Sequence, residues 1–196
     1  KSPGQTAKTE RRERNVRGVP KKLLLLGGSA QQVIAIKTAK RLGCETILCD
    51  YLPDNPGRCE ADRFYLVSTT DEQAVLEVAR REQVDGVLAY ASDPAAPTAA
   101  YVAEKLGLPG NPYKSVVTLC SKDKFRKFLV ENGFAAPSAW GCPDMETVLK
   151  KREQFHYPVI VKPVDSSGSK GATVLRSADG LERAAEFAFS FSRCHR

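Results

Sequence analysis

The stretch HYPVIVKPVDSSGSKGATVL, residues 156–175, contains two short apolar runs that a polar loop separates. The runs YPVIVKPV and ATVLRS predict two strands, joined by residues 165–171. The first run places Lys162 within an apolar strand. Burying an ammonium group there without a partner would destabilise the fold by roughly several kcal/mol. Lys162 must therefore reach water or an anion.

The loop between the two predicted strands contains two glycines, three serines and Lys170, with no apolar side chain. Such a loop is flexible and rich in N–H and O–H donors, so it can fold over phosphate groups. The residues also fit another interpretation, in which Lys162 lies on an edge strand and the loop is an ordinary solvated hairpin connection. Both interpretations stay open on these residues alone.

The segment NPYKSVVTLCSKDKFRKFLVENG, residues 111–133, predicts one helix. At helical spacing Lys124 lies near Phe128 and borders the packed side, whereas Arg126 and Lys127 point away. One cation is therefore expected beside the packed face. After this helix, FAAPSAW predicts a connecting strand, DMETVLKKREQF a helix, and ADGLERAAEFAFSFS a closing helix.

The first part of the chain alternates short apolar runs with amphipathic segments. Strands alternating with helices predict βαβ crossovers and a parallel sheet. The predicted strands are KLLLL, ETILCD, DRFYLVSTTD and VDGVLAYASD, and the predicted helices between and after them are QQVIAIKTAKRLG, DEQAVLEVARREQ and PAAPTAAYVAEKLG. The fold class is therefore α/β.

Two loops at the carboxyl ends of predicted strands could hold a ligand. In GGSAQQ, residues 27–32, a glycine pair lets backbone N–H groups and the N-terminus of the following helix face a ligand anion. Asp50 ends the second strand, where a dinucleotide fold holds ribose hydroxyls, but G-x-G-x-x-G is absent. The loop YASD carries Asp93 on the side where open α/β sheets bind ligands. Ordinary turn chemistry explains both loops equally well.

The net charge of +7 is concentrated at one end of the chain. Residues 1–22 hold eight basic and two acidic side chains, which leaves only +1 for the rest. We expect residues 1–20 to form a disordered basic tail, and nucleic-acid binding is disfavoured because the charge is a property of that tail. Two distant histidines and six cysteines without a C-x-x-C pair disfavour a metal site. No apolar stretch approaches the length of a membrane span, and a cytosolic location is expected.

Three motifs in this order resemble the ATP-grasp superfamily, which includes biotin carboxylase and the large subunit of carbamoyl phosphate synthetase. They are the GG loop, the Asp-Lys helix in SKDKFRKFLVENGFAAPSAW, and YPVIVKP with its Ser/Gly-rich hairpin. The similarity covers roughly residues 21–190. It implies a Rossmann-like pre-ATP-grasp domain with a parallel sheet at residues 21–115. A connecting helix and the first part of an α+β ATP-grasp domain, truncated, would follow at residues 116–196.

The resemblance implies roles for individual residues. Lys124 and Lys162 would contact ATP phosphates, and a mobile loop would cover the β- and γ-phosphates, formed by Ser166, Ser167, Gly168, Ser169, Lys170 and Gly171. By the same analogy a small carboxylate substrate would bind near Gly28, Ser29 and Asp93. In this superfamily ATP phosphorylates a carboxylate, and an amine or related nucleophile then attacks the acyl phosphate. The transferring phosphoryl group is stabilised by lysines and Mg²⁺.

The sequence departs from the superfamily pattern after Gly171. The only later acids are Asp179, Glu182 and Glu186, and no Glu-x-Asn follows. We therefore expect an N-terminal fragment of an ATP-dependent carboxylate–amine ligase, incomplete for catalysis alone, with its magnesium ligands in a part that would follow. A homodimer is possible. The alternatives are a non-catalytic nucleotide-binding or interaction module and, with less support, a dinucleotide-dependent oxidoreductase.

Overall fold

The computed structural model describes residues 18–166 and 168–193. The predicted basic tail falls almost wholly on residues 1–17, and these lie outside the described part, as do Ser167 and residues 194–196. The chain divides into two compact units, the first extending to Val116 and the second beginning at Val117. Each unit is described by itself.

The first unit is built on a four-stranded parallel sheet of order β3-β2-β1-β4. Its strands are β1 (Lys22–Leu26), β2 (Glu45–Asp50), β3 (Arg63–Leu66) and β4 (Gly86–Leu88). Its helices are α1 (Val33–Arg41), α2 (Glu72–Glu82) and α3 (Ala96–Leu106), with a 3-10 turn at Pro56–Cys59. The predicted α/β class with a parallel sheet is confirmed.

Strand β1 is apolar after Lys22 because helices cover both faces of the sheet. Leu24 and Leu26 point to one face, into a core that contains Val75 of α2 and Val102 of α3. Leu25 points to the other face, where it packs with residues of α1 and β2. Consecutive leucines thus contribute side chains to two separate apolar cores, one on each face of the sheet.

The predicted boundaries are mostly too long. Strand β4 covers only Gly86–Leu88, so the residues of YASD form a turn after it. Asp71 caps the start of α2, since its carboxylate accepts the N–H of Ala74 at 3.0 Å. Gly107 ends α3 in the left-handed conformation, as its position predicts.

The second unit combines helices with a two-stranded antiparallel hairpin. The hairpin pairs β5 (Val159–Val161) with β6 (Thr173–Leu175). The helices are α4 (Tyr113–Cys120), which begins in the first unit, α5 (Lys122–Glu131), α6 (Met145–Lys151) and α7 (Leu181–Phe191). Helices α6 and α7 cover one face of the hairpin through Val148, Leu181 and Ala185. On the other face the cross-strand neighbours Ile160 and Val174 are exposed.

Two predictions in this region are wrong. Residues 111–133 do not form one helix, because Ser121 adopts an extended conformation between α4 and α5. Its hydroxyl donates to the Asp123 carboxylate, and the break frees the N–H of Lys122 from the helical ladder. The segment FAAPSAW forms no strand within the described residues.

At the amino end of the sheet a buried carboxylate, Glu82, gathers three partners. It accepts a hydrogen bond from the Tyr65 hydroxyl and one from the Arg63 guanidinium at 2.8 Å, and the Lys22 ammonium lies 3.5 Å away. Burial opposes its charge, but the hydrogen bonds from Tyr65 and Arg63 outweigh burial and hold the pKa of Glu82 below its ordinary value. This carboxylate therefore stabilises the fold while it is ionised.

We expect Glu82→Gln to lower the free energy of unfolding of the first unit by about 2 kcal/mol at neutral pH, because charge-assisted hydrogen bonds are lost. The difference from the parent should shrink as the pH falls through the lowered pKa, since the parent then loses the same charge. Urea unfolding followed by circular dichroism measures this. Glu77→Gln, an exposed site on the same helix, is the matched control. An equal effect of both substitutions would contradict the assignment.

Candidate functional site

The carboxyl edge of the first sheet contains a topological switch point. The chain runs from β1 outward to β2 and β3, and then returns to place β4 on the other side of β1. In open α/β sheets the loops on the two sides of such a point leave the sheet in opposite directions, and ligands bind between them. The predicted substrate residues Gly28, Ser29 and Asp93 all lie in the loops that follow β1 and β4.

Gln32 links the two loops. Its side-chain nitrogen donates to the carbonyl of Tyr90 at 3.0 Å and to that of Leu26 at 3.3 Å. Its side-chain oxygen accepts the N–H of Ser29 at 3.0 Å and the hydroxyl of Ser29 at 2.8 Å. Gln32 is only 6% exposed, so one buried amide holds the loop after β1 against the loop after β4. Gln32 was not among the predicted site residues, and no sequence pattern indicates its role, since its side chain forms no cap on α1 and its partner Tyr90 lies far along the chain.

The expectation that the glycine pair presents free N–H groups to an anion is wrong for Gly28. This residue is buried, and its N–H donates to the Asp50 carboxylate at 2.7 Å. Its carbonyl accepts the N–H of Gly57 at 2.7 Å. A Cβ atom on Gly28 would stand 2.0 Å from the side-chain oxygen of Asn55. Glycine is needed here because the loop after β1 packs closely against the loop after β2 at this point.

Asp50 gives no support to a dinucleotide site. The carboxylate is 6% exposed, and its second oxygen accepts the N–H of Leu52 at 2.8 Å. Both oxygens are therefore used by backbone groups of the protein itself. Ser29 and Asp93 are exposed at the same edge.

In the second unit, a backbone hydrogen bond joins α5 to the hairpin. The N–H of Lys122, freed by the break at Ser121, donates to the carbonyl of Val164 at 3.0 Å. The Lys122 ammonium also donates to the carbonyl of Ser166, at the start of the Ser/Gly-rich loop. Lys122 thus connects the Asp-Lys helix to the loop through two hydrogen bonds. It was not among the predicted site residues.

This connection limits the distance between the two predicted phosphate ligands. Lys124 lies two residues beyond Lys122 on the helix, and Lys162 lies two residues before Val164. Chain geometry then allows no more than roughly 20 Å between the two lysine Cα atoms. Extended lysine side chains can span much of such a gap, with the phosphates of a nucleotide between them.

Both lysines are exposed, which is one of the two interpretations left open for Lys162 and contrary to the prediction for Lys124. Lys162 is exposed and follows β5 directly, so it is not inside a buried strand. Alternation along β5 turns Val161 to the core and leaves Lys162 facing outward. Lys124 is also exposed, whereas Arg126 is half-buried, so the predicted packed side of α5 was wrong. Among the described residues neither lysine ammonium has a hydrogen-bond or ion-pair partner.

A hydrogen bond within the loop after Lys162, together with residues of positive φ, gives this loop its shape. The Ser166 hydroxyl donates to the carbonyl of Lys170 at 3.1 Å, and Gly168 and Ser169 both have positive φ. Gly171 has φ +72°, and a Cβ atom there would lie 2.9 Å from Phe191 and from Pro163. The loop therefore turns back tightly, with Ser169 and Lys170 exposed at its tip. Ser167 lies outside the described residues.

The described residues offer no ready metal site. In residues 18–166 and 168–193 no three His, Cys, Asp or Glu side chains are grouped so that they could hold a metal ion. Asp179, Glu182 and Glu186 are all exposed in or just before α7. No helix in this part of the chain is long and apolar enough to cross a membrane.

Two sequence families match the two halves of the chain. Residues 36–110 match the ATP-grasp N-terminal domain, and residues 121–195 match the ATP-binding domain of the carbamoyl-phosphate synthase L chain. A formate-dependent phosphoribosylglycinamide formyltransferase from Synechococcus sp. (strain CC9311) is 32% identical over 177 residues, which cover 89% of this chain and 45% of that protein. The chain thus spans about half the length of the curated relatives it matches.

Solved structures agree with these matches. An L-amino acid ligase from Bacillus licheniformis superposes with a TM-score of 0.64 at 26% identity, over 84% of this chain and 41% of the other. An N5-carboxyaminoimidazole synthetase from Staphylococcus aureus, solved with ADP, gives a TM-score of 0.66 at 19% identity, over 86% of this chain and 44% of the other. At that identity the second likeness shows the fold alone.

We expect Gln32→Ala to destabilise the first unit by about 2 kcal/mol, because buried carbonyl, N–H and hydroxyl groups lose their partner. Gln31→Ala, at the exposed neighbouring position, should change stability by less than about 0.5 kcal/mol. Urea unfolding followed by circular dichroism compares the two. Equal stabilities would show that the Gln32 bridge contributes nothing.

Gly171→Ala and Gly168→Ala separate crowding from backbone strain. Both residues have positive φ, but an added Cβ at Gly168 meets nothing within 4 Å. Gly168→Ala should therefore cost about 1 kcal/mol, and Gly171→Ala about 3 kcal/mol, since it adds overpacking to strain. Fluorescence of Trp140, the single tryptophan, reports unfolding of this unit. A Gly171→Ala variant no less stable than Gly168→Ala would refute the close packing.

Proposed function

We propose, from the premise that this chain belongs to the ATP-grasp superfamily, that its second unit binds the phosphates of ATP. Lys124 and Lys162 would contact phosphate oxygens, and the loop of residues 166–171 would cover them. The first unit would bind a substrate at the carboxyl edge of its sheet, beside Ser29 and Asp93. The protein of which these units form part would be an ATP-dependent ligase.

The observation that carries the proposal is the hydrogen bond between the N–H of Lys122 and the carbonyl of Val164. It holds the first turn of α5 beside the segment between β5 and the loop. Two exposed ammonium groups without partners among the described residues then flank one region. Exposed cations near a loop with N–H and hydroxyl donors suit a triphosphate.

The role of these residues follows from the charge of the reaction. When a phosphoryl group passes from ATP to a carboxylate, negative charge spreads over its oxygens. Fixed cations lower the energy of that arrangement, and a closed loop keeps water away from the acyl phosphate. An amine or related nucleophile would then displace phosphate from the acyl phosphate. Magnesium, when bound with ATP, would supply further positive charge, but the described residues present no ligand set for it.

The substrate role of the first unit depends on the switch point between β1 and β4. Ser29 offers a hydroxyl and Asp93 an exposed carboxylate, while Gly28 supports the loop from below. A cytosolic location and a homodimer, both expected from the sequence, stay predictions.

Mg-ATP binding tests the proposal most directly. Amide NMR spectra of the chain, titrated with Mg-ATP, should show shifts in residues of α5 and of the loop, and NAD(H) should not reproduce them. Lys162→Ala and Lys124→Ala should each weaken ATP binding by roughly tenfold or more, because a charged hydrogen bond is worth about 1.5–3 kcal/mol. The dispersion of the spectra reports whether each variant is folded.

Lys127→Ala is the matched control, since Lys127 is an exposed lysine on α5 that pairs with Glu131 at 3.6 Å. It removes the same charge from the same helix and should leave ATP binding unchanged. Lysine variants that bind ATP as well as the parent, a parent that binds none, or stabilisation by NAD(H) alone would each reject the proposal.

A further inference from the structure

We propose that Arg193 is a positioning residue for phosphate binding in the second unit. From just beyond the end of α7 it holds Asp165, the residue that leads into the Ser/Gly-rich loop, and thereby fixes the stem from which the loop reaches the phosphates. This inference rests on the proposed function, because it concerns the loop that would cover the phosphates of ATP. It assigns a role to a residue that contacts no nucleotide itself.

Three contacts join Arg193 to Asp165. The backbone N–H of Arg193 donates to the Asp165 carboxylate at 3.0 Å, and the guanidinium donates to the Asp165 carbonyl. The guanidinium nitrogen Nε also lies 3.9 Å from the same carboxylate oxygen. One residue therefore holds both the side chain and the backbone of Asp165, which fixes its orientation as well as its position.

Asp165 is the middle residue of a stem, residues 164–166, in which three successive carbonyls are engaged. The carbonyl of Val164 accepts the N–H of Lys122 at 3.0 Å, that of Asp165 accepts the Arg193 guanidinium, and that of Ser166 accepts the Lys122 ammonium. A peptide group whose carbonyl is held cannot rotate freely. The stem is thus fixed by α5 on one side and by the residue after α7 on the other.

The end of α7 also supports the other end of the loop. A Cβ atom on Gly171 would lie 2.9 Å from Phe191, the last residue of α7, and 2.9 Å from Pro163. Helix α7 itself packs into the core of the second unit through Leu181 and Ala185. Both ends of the loop therefore rest on one helix that belongs to the folded core.

A fixed stem lowers the entropic cost of binding phosphate. Ser169 and Lys170 are exposed at the tip, and an added Cβ at Gly168 would meet nothing within 4 Å, so the tip has room to adjust to a ligand. When the stem is already ordered, only the tip has to be ordered on binding. Without the Arg193 contacts, ATP binding would have to order the stem as well, and the affinity would fall.

The pair contributes more to positioning than to the stability of the unit. The Arg193 side chain is 46% exposed and that of Asp165 is 18% exposed. Ion pairs that water reaches stabilise a fold only slightly. Variants of Arg193 should therefore fold, and their ATP affinity can be measured separately from their stability.

The test is a titration of the chain with Mg-ATP, followed by amide NMR. Arg193→Ala should weaken ATP binding by roughly threefold to tenfold, because the stem must then be ordered on binding. Arg193→Lys should recover part of this loss, since an ammonium group can donate to the same carbonyl but lacks the several donors of a guanidinium. Arg183→Ala removes an exposed arginine near the start of the same helix and should leave the affinity unchanged.

Asp165→Ala separates positioning from a general effect of charge. If charge alone mattered, removing an acid beside the loop would strengthen ATP binding. If positioning matters, Asp165→Ala weakens ATP binding, as Arg193→Ala does, although the two substitutions change the net charge in opposite directions. Because both remove the same connection, the double variant should lose less than the product of the two single losses. Tighter ATP binding by Asp165→Ala would overturn the proposal.

NMR relaxation without nucleotide gives a second readout. In Arg193→Ala the amides of Ser166 and Ser169 should have lower order parameters than in the parent, whereas amides within α7 should not change. If Arg193→Ala does not fold, Arg193→Met, which keeps the length of the side chain without its donors, should show the same two effects.

The outcomes distinguish this inference from the proposed function. A folded Arg193 variant with ATP affinity and loop order equal to those of the parent would reject the role of Arg193 and leave the roles of Lys124 and Lys162 intact. A parent chain that binds no Mg-ATP would reject the proposed function, and this inference with it.

Discussion

A backbone hydrogen bond, from the N–H of Lys122 to the carbonyl of Val164, holds the start of α5 beside the segment that follows β5. The hydrogen bond exists because Ser121 interrupts the helical ladder and leaves the first N–H groups of α5 without internal acceptors. The Lys122 ammonium adds to the same connection by donating to the carbonyl of Ser166. Everything proposed about phosphate binding depends on this connection, which brings the ends of two elements together and leaves their lysines exposed.

The first unit solves a different problem at the carboxyl edge of its sheet. Several loops converge there, and their backbone groups must find partners without water. Asp50, Gln32 and Asn55 supply those partners from inside the protein. Polar side chains at this edge are thus mainly structural. The outer surface formed by Ser29 and Asp93 remains accessible to a ligand. The buried groups beneath it determine which backbone N–H groups are already engaged.

Periodicity in the sequence was sufficient to predict the parallel sheet of the first unit. The leucines of β1 and the alternation of strands with helices predict the parallel arrangement, because these patterns reflect burial on both faces of a sheet. The break at Ser121 could not be predicted in this way, since periodicity does not show where a helix is interrupted and the acceptor for the Lys122 N–H lies far along the chain. The same limit applies to Lys124, because helical spacing shows which residues share a face but not which face is covered.

For the candidate sites, residue types in the sequence indicated which kinds of site were feasible, but the sequence did not show the hydrogen-bond partners of those residues. A glycine pair before a helix fits an anion site and a crowded loop crossing equally well, and only the contact between Gly28 and Asp50 distinguishes them. The role of Lys122 could not be predicted, because nothing in the sequence distinguishes it from the neighbouring lysines Lys124 and Lys127. Hydrogen bonds between residues far apart in sequence are the information that a single sequence lacks.

The contrast between the two glycines of the hairpin loop has a consequence for how this loop can change in length. At Gly168 the surroundings are open, whereas at Gly171 the backbone is pressed between Pro163 and Phe191. Extra residues, an affinity tag or a fluorescent label can therefore be inserted at the tip without disturbing the strands. Insertions next to Gly171 would separate β6 from the end of α7. Length variation in this loop, whether natural or engineered, should concentrate on the side of Gly168.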